Sequence, residues 1–319
     1  MKSDSHALVE SLVPYRSISI IGMAKNVGKT TTLNYLIDSF SRSNTHLALT
    51  SIGRDGESTD VVTKTAKPKI FVRRGTLIAT AEKLLGLGDI TKEILLVTDI
   101  NTPLGRIVIV RALSDGFVQL GGPSITSQMS DLLGLFAELG ADKIIVDGAL
   151  NRKTLANPSV TEATILCTGA SLSRDLHTVI GQTQHLVSLL TLPKLRDKEI
   201  LAELSQIEDE KVTKRERYIY IRGAVSDTFV NNLIMSGHQL KDVYLIAEDA
   251  SKIFIKPATY EKLMMKKAIL SVVNPINLVG LTVNPTSPYD VDFDGVNFIR
   301  EMRGSVSIPV YDVKDKEGY

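Results

Sequence analysis

The sequence predicts an α/β protein, a mostly parallel twisted sheet flanked by helices with some antiparallel edge strands. Three observations carry that prediction. Residues 17–32 run from a β-branched apolar strand through a glycine-bearing turn into a helix, and residues 46–50 follow as a second strand. Strand, helix and strand in one short stretch form a βαβ unit, which pairs parallel strands. Further apolar runs recur at 143–149, 164–170 and 278–283, each leaving through Gly, Asp or Asn and alternating with helical periodicity. Between the β runs 106–113 and 117–120 lies Asp115-Gly116, a hairpin signal that puts antiparallel pairing at a sheet edge.

The totals bound the function. The chain has 319 residues, 43% hydrophobic and 23% charged, enough for one large α/β domain or two smaller ones. A net charge of +1 supplies no overall field toward nucleic acid or membrane, and the absence of Trp argues against a base-stacking platform. A single cysteine, Cys167, excludes an intramolecular disulfide or a cysteine metal cluster, and the residue reads as a small core side chain. Residues 1–6 are polar and no run approaches a membrane span. The expectation is a cytoplasmic protein with neither nucleic acid nor membrane as partner.

Chemistry concentrates in Gly22-Met23-Ala24-Lys25-Asn26-Val27-Gly28-Lys29-Thr30-Thr31. A strand before it and a helix after it are what a phosphate-binding loop requires. Backbone N–H groups of the turn and the helix N-terminus converge where anionic oxygens are attracted. Gly22, Asn26, Val27, Gly28, Lys29, Thr30 and Thr31 are the nucleotide-cradling candidates. Lys29 would reach the β- and γ-phosphates and the Thr30 hydroxyl would hold Mg²⁺. The spacing departs from the usual pattern, since Met23 stands in the first glycine's place and Gly22 lies one residue earlier. An ordinary turn containing Gly-Lys-Thr is the alternative.

The remaining elements are read in order. Residues 7–13 form a short helix stopped at Pro14. After the second strand come Gly53, Arg54, Asp55, Gly56 and Glu57, at the carboxyl edge where open α/β sheets keep their ligands. Asp55 or Glu57 would meet Mg²⁺ or orient a nucleophile; a solvated Asp-Gly turn is the alternative. Residues 67–75 read as a strand with basic ends, 76–85 as a helix, and 93–98 as a further strand. Gly121 to Ser124 open a helix with Ser124 as N-cap. The strand at 143–147 ends in Asp147, placed to bind a Mg²⁺ water or the loop threonine, with Asn151, Arg152 and Lys153 beyond it. A helix over 172–192 carries His177 and His185, whose spacing suits surface or capping roles better than metal ligation.

The charge-rich stretch 193–217 marks the best boundary, so the chain reads as one domain over 1–319 with an inserted or accessory subdomain at 197–270. Strands are expected at 218–221, 243–247 and 252–255, and a helix at 260–267. The strand at 278–283 ends in Asn284-Pro285, where an amide offers a nucleobase edge both donor and acceptor, although Asn-Pro is also a turn signal. A helix at 294–302 and a strand at 306–313 close the chain.

With these motifs placed, the chain resembles the P-loop class that includes dethiobiotin synthetase, the MinD-type ATPases and the metallochaperone GTPases. The resemblance rests on residues 22–30 with their long spacing, on Val146-Asp147-Gly148, and on Val283-Asn284-Pro285 in the base-binding position. It implies ATP, with GTP as alternative, and Mg²⁺ held by Thr30, Asp55 and Asp147. Lys29, Asp55 and Lys25 are the implied catalytic residues, and Asn284 and Pro285 the base contacts. A homodimer is compatible with the class. Two departures narrow the reading. The MinD-type signature lysine position holds Ala24, and the dethiobiotin synthetase Lys-Pro-Val type segment is replaced by Ser51-Ile52-Gly53-Arg54-Asp55. The pair of segments 20–31 and 50–57 is also similar to the P-loop subunit of the reactivase for cobalamin-dependent lysine 5,6-aminomutase. That likeness implies a chaperone-like ATPase working with the aminomutase and a second reactivase subunit. The competing reading is a small-molecule kinase or ligase passing the γ-phosphate to a carboxylate beside Lys25, Arg54 and Arg152; a binding module without hydrolysis is a third.

Overall fold

The computed structural model describes residues 4–43, 45–53, 70–148, 160–206, 212–215, 217–289 and 291–313. In chain order the elements are α1 (Asp4–Leu12), β1 (Ser17–Gly22), α2 (Lys29–Arg42), β2 (Leu47–Ser51), β3 (Ile70–Val72), β4 (Leu77–Ala81), β5 (Lys92–Thr102), β6 (Gly105–Ala112), β7 (Gly116–Val118), α3 (Thr126–Glu138), β8 (Lys143–Asp147) and β9 (Ala163–Gly169). There follow α4 (Leu176–Leu190), α5 (Lys198–Gln206), β10 (Val212–Arg215), β11 (Tyr218–Ile221), β12 (Val225–Ser226), α6 (Asp227–Met235), β13 (Tyr244–Ala247), β14 (Ile253–Phe254), α7 (Pro257–Met265), β15 (Ile269–Val272), β16 (Leu278–Asn284), α8 (Gly295–Ser305) and β17 (Val310–Tyr311). The chain divides into two compact units, Met1–Val179 with Leu278–Tyr319, and Ile180–Asn277. The second is therefore an insertion between β9 and β16, broader than the 197–270 stretch that charge alone marks.

The first unit is built on a nine-stranded sheet in the order β17-β16-β9-β1-β8-β2-β4-β6-β5. From β17 across to β4 every neighbouring pair is parallel, and β6 and β5 add an antiparallel edge. This is the expected mostly parallel α/β fold. β1, β2, β4 and β9 are buried along their whole length, as strands covered on both faces are. β1 alternates Ser17 and Ser19 with Ile18 and Ile20, and its buried Ser19 hydroxyl lies 2.9 Å from that of Thr164. α2 buries Leu33, Leu36, Ile37 and Phe40 in the same core as Ile18, Ile20, Ile145 and Ile165. Arg16 closes the gap between β1 and β8 by donating Nε and Nη2 to the Ala141 carbonyl at 3.0 and 2.8 Å. Among the described residues no helix is long and apolar enough to cross a membrane.

The second unit has its own four-stranded sheet, β10-β11-β13-β15, parallel except for β10. One face packs Ile219, Leu245 and Leu270 with Val230 of α6 and Leu263 of α7. The other packs Tyr220 and Ile246 with Leu204 of α5. His185 is structural here: its Nε2 donates to the Ile255 carbonyl at 2.8 Å and its ring meets Tyr260 edge-on.

Several expectations are corrected. Residues 77–81 form β4 and not a helix, because Leu77 to Ala81 pair with β2 on one side and β6 on the other; a 3-10 turn, Glu82–Leu87, follows. Asp115-Gly116 does not join a hairpin. β7 pairs instead with β3, since Asp115 Oδ1 accepts from the Arg74 amide at 2.7 Å and its Oδ2 lies 3.7 Å from the Arg73 guanidinium. The hairpin is β5–β6, closed by Thr102 Oγ1 donating to the Gly105 carbonyl at 2.7 Å. Ser124 does not cap α3, which starts at Thr126 behind Ile125 with no side-chain cap. The final strand is confined to Val310–Tyr311, and α6, α5 and β15 were not foreseen.

Candidate functional site

Parallel strands bring their carboxyl ends to one edge, and register shows which residues share it. Gly22 stands opposite Cys167, Asp147 opposite both Ile20 and Ser51, and Asn284 opposite Gly169. The loop after β1, Asp147 at the tip of β8, the exit of β2 and Asn284 at the end of β16 thus gather where α/β sheets hold ligands.

The loop is shaped by two left-handed residues, Asn26 at φ 61° and Gly28 at φ 90°. Gly28 is the N-cap of α2 and offers no side chain to its first turn, so that helix end keeps its amide donors for another partner. Met23 N donates to the Cys167 carbonyl at 3.0 Å and Thr32 N to the Gly28 carbonyl at 2.9 Å, fixing both ends of the turn. Deeper in α2, Thr32 Oγ1 lies 3.0 Å from Thr282 Oγ1, and the Cys167 thiol donates to the Thr32 hydroxyl at 3.6 Å. Burial pushes the Cys167 thiol above its usual range, as expected for a core residue.

Lys29 folds back over the turn. Its Nζ donates to the Ala24 carbonyl at 3.4 Å, and its stem covers Gly22 so closely that a Cβ there would lie 2.6 Å from Cγ and 2.7 Å from Cδ. This explains why glycine stands at position 22, one residue earlier than in the ordinary pattern. Gly22→Ala is expected to displace the lysine stem and weaken triphosphate binding about tenfold, a loss near 1.4 kcal/mol, with a native circular dichroism spectrum. Calorimetric titration checks it, and unchanged affinity would count against this placement.

Asp147 is the other charged member. Burial raises its carboxyl pKa to about 6, against the lowering effects of the Lys29 charge and the Gly148 amide. Its Oδ1 is buried with no hydrogen-bond partner among the described residues. An orphaned carboxylate oxygen at the tip of β8 and a half-buried threonine, Thr30, in the first turn of α2 both stand at the carboxyl edge of the sheet. Their hard oxygens are of the kind Mg²⁺ takes together with water and phosphate. Among the described residues no group of three or more His, Cys, Asp or Glu could hold a metal, so an all-protein cage is not offered there. Asp55, Glu57, Arg54, Asn151, Arg152 and Lys153 lie outside the described residues. Lys25 and Thr31 are exposed on the loop and first helical turn.

The wall beside Asp147 is the exit of β2. Ile52 N donates to the Asp147 carbonyl at 3.0 Å and Gly53 N to the Pro123 carbonyl at 3.1 Å. Gly122 passes so near that a Cβ would sit 1.9 Å from the Ser51 carbonyl oxygen. The clash is with Ser51 backbone, which cannot swing aside as a side chain would, and the Thr50 hydroxyl would lie 2.8 Å away. Gly122→Ala is expected to destabilise the protein by about 2–3 kcal/mol, read as a fall in the urea midpoint; a wild-type midpoint would refute the contact.

The opposite wall is Asn284. Its Nδ2 donates to the Asn26 carbonyl at 3.1 Å, and its Oδ1 accepts from Thr286 Oγ1 at 2.9 Å and Thr286 N at 3.3 Å. Ser171 Oγ donates to the same Asn26 carbonyl at 3.0 Å. Sequence reasoning singled out Asn284 and Pro285 for a base; it missed Ser171, whose only signal is its place just after a buried strand with a glycine exit.

No protein-family model matches the chain, and no curated protein matches it. Among solved structures it is similar to the signal recognition particle receptor FtsY from Elizabethkingia anophelis, at 10% identity and a TM-score of 0.28, over 93% of this chain and 71% of that one. A likeness of that size carries no functional inference. What stands is an α/β fold with a left-handed loop leading into the uncapped start of α2 at the carboxyl edge of its sheet.

Proposed function

We propose that the chain binds a Mg²⁺–nucleoside triphosphate, ATP with GTP as alternative, and hydrolyses it. The observation that carries this is the left-handed turn ending at the uncapped N-terminus of α2, with Lys29 folded over Gly22. Backbone amides of residues 28–30 would hold the phosphate oxygens, with the helix dipole adding to the attraction. Lys29 exchanges the Ala24 carbonyl for phosphate oxygens and balances their charge. Thr30 and Asp147 would hold Mg²⁺, with Asp55 as the third ligand implied by the class. An ion held there would supply positive charge against that developing on the phosphates.

The finer reading is a nucleotide-driven switch that reactivates a partner enzyme, the cobalamin-dependent lysine 5,6-aminomutase, together with a second reactivase subunit. Its support is the similarity of residues 20–31 and 50–57 to that family's P-loop subunit. Steady-state hydrolysis separates the readings. Slow turnover that rises only on addition of the aminomutase supports the switch. Multiple turnovers with a small carboxylic acid and no protein partner would replace it with the ligase reading.

A further inference from the structure

We infer that Asn284 and Ser171 are positioning residues for the phosphate site, acting through the carbonyl of Asn26 to hold the loop in its binding conformation. The inference rests on the phosphate-site reading above and assigns to Asn284 a task other than contact with a base.

The loop needs an external brace. Asn26 is a non-glycine residue in the left-handed region, at φ 61°, a conformation that costs energy unless its surroundings hold it. Its carbonyl is gripped from two strand exits at once, by Ser171 Oγ at 3.0 Å from beyond β9 and by Asn284 Nδ2 at 3.1 Å from the end of β16. The grip is close-packed. A Cβ on Gly28 would lie 3.0 Å from Asn284 Cβ, and a Cβ on Gly169 would lie 2.5 Å from the Asn284 carbonyl oxygen. That carbonyl also accepts from Ala170 N at 2.9 Å. Loop, β9 exit and Asn284 therefore meet without a gap, and glycine at 28 and 169 is what lets three backbones close together.

The amide of Asn284 is engaged within the protein at both ends. Oδ1 takes two hydrogen bonds from Thr286 and Nδ2 gives one to Asn26. Fixing the Asn26 carbonyl toward β9 and β16 fixes the peptide plane that precedes Val27, and with it the direction of the amides running to Gly28. Those amides are the ones a phosphate would meet. Loss of either donor frees the peptide to turn, and the cost appears in phosphate affinity whether or not a base is present.

The test uses a ligand with no base. Affinities of Mg²⁺–tripolyphosphate, ATP and GTP are measured by calorimetry for the full chain and for Asn284→Ala, Ser171→Ala and Ser171→Thr. Asn284→Ala and Ser171→Ala are expected to weaken tripolyphosphate roughly five- to tenfold, the effect of one hydrogen bond. The ratio of ATP to GTP affinity stays at its wild-type value, and Ser171→Thr, which keeps the hydroxyl, binds as wild type does. Retained tripolyphosphate affinity in Asn284→Ala, with lost or altered nucleotide preference, would overturn the inference in favour of base recognition. Retained tripolyphosphate affinity in Ser171→Ala, a change at an exposed bond that leaves the core intact, would overturn it independently of how Asn284→Ala folds. A wild-type chain that binds none of the three ligands overturns the phosphate-site reading itself, and this inference with it.

Discussion

Lys29→Ala is expected to weaken triphosphate binding at least about a hundredfold, equivalent to roughly 3 kcal/mol, while leaving the fold intact. The size follows from what the side chain does. Its ammonium is held over the turn by contacts on both stem and tip, with the stem against Gly22 and Nζ on the Ala24 carbonyl. Alanine removes the charge that offsets the phosphates and leaves the helix amides alone to hold them. Stability should change little below the Asp147 pKa, because the ammonium rests on a carbonyl 3.4 Å away and makes no ion pair among the described residues. A modest loss is expected above it, where the Lys29 charge favours ionised Asp147. Binding measured with labelled nucleotide, beside a thermal melt, checks both halves. A variant with wild-type affinity would remove Lys29 from the site.

Asp147→Asn is expected to abolish Mg²⁺-dependent hydrolysis and to keep metal-free nucleotide binding. The buried Oδ1 of this carboxylate lacks a partner among the described residues, and an amide replaces a hard anionic ligand with a neutral one. The same substitution carries a stability signature with a defined sign. Burial lifts the Asp147 pKa from 3.8 to about 6. The folded state therefore prefers the neutral acid, and the ionised form costs stability. That cost is absent below the unfolded value, grows as pH rises toward 6 and is complete above it, at roughly 3 kcal/mol. In chelator, the melting temperature of Asp147→Asn relative to wild type should thus be more favourable at pH 8 than at pH 4. A difference independent of pH would refute the raised pKa, and full hydrolysis would take Asp147 out of the metal site.

Much of this was legible in the chain because the parallel strands are buried on both faces. Ile18, Ile20 and Ile21, broken only by Ser19, and Ile165-Leu166-Cys167 are fully buried, and a β-branched strand followed by a glycine-bearing turn, Gly-Lys-Thr and a helix has few other readings. What misled was local chemistry overruled by long-range pairing. Leu77-Ile78-Ala79-Thr80-Ala81 contains good helix formers, and only flanking by β2 and β6 makes it a strand. Asp115-Gly116 reads as a hairpin turn, but the bend falls at Leu113 and Ser114, and Asp115 commits the strand that starts at Gly116 to β3. The brace on Asn26 was invisible for a similar reason. Ser171 and Asn284 reach it from strand exits distant in sequence, and neither has a pattern that names a carbonyl as its target. Gly122 reads as a helix opener until the Ser51 carbonyl shows that it is a point of close approach.

The most direct test of the central claim is a crystal structure of the full chain with Mg²⁺ and a non-hydrolysable ATP analogue. The account predicts β- and γ-phosphate oxygens within hydrogen-bond distance of the backbone amides of Gly28, Lys29 and Thr30, with Lys29 Nζ moved from Ala24 onto them and the metal beside Thr30 and Asp147. An analogue bound elsewhere, with Lys29 still on the Ala24 carbonyl and the loop empty, would contradict it.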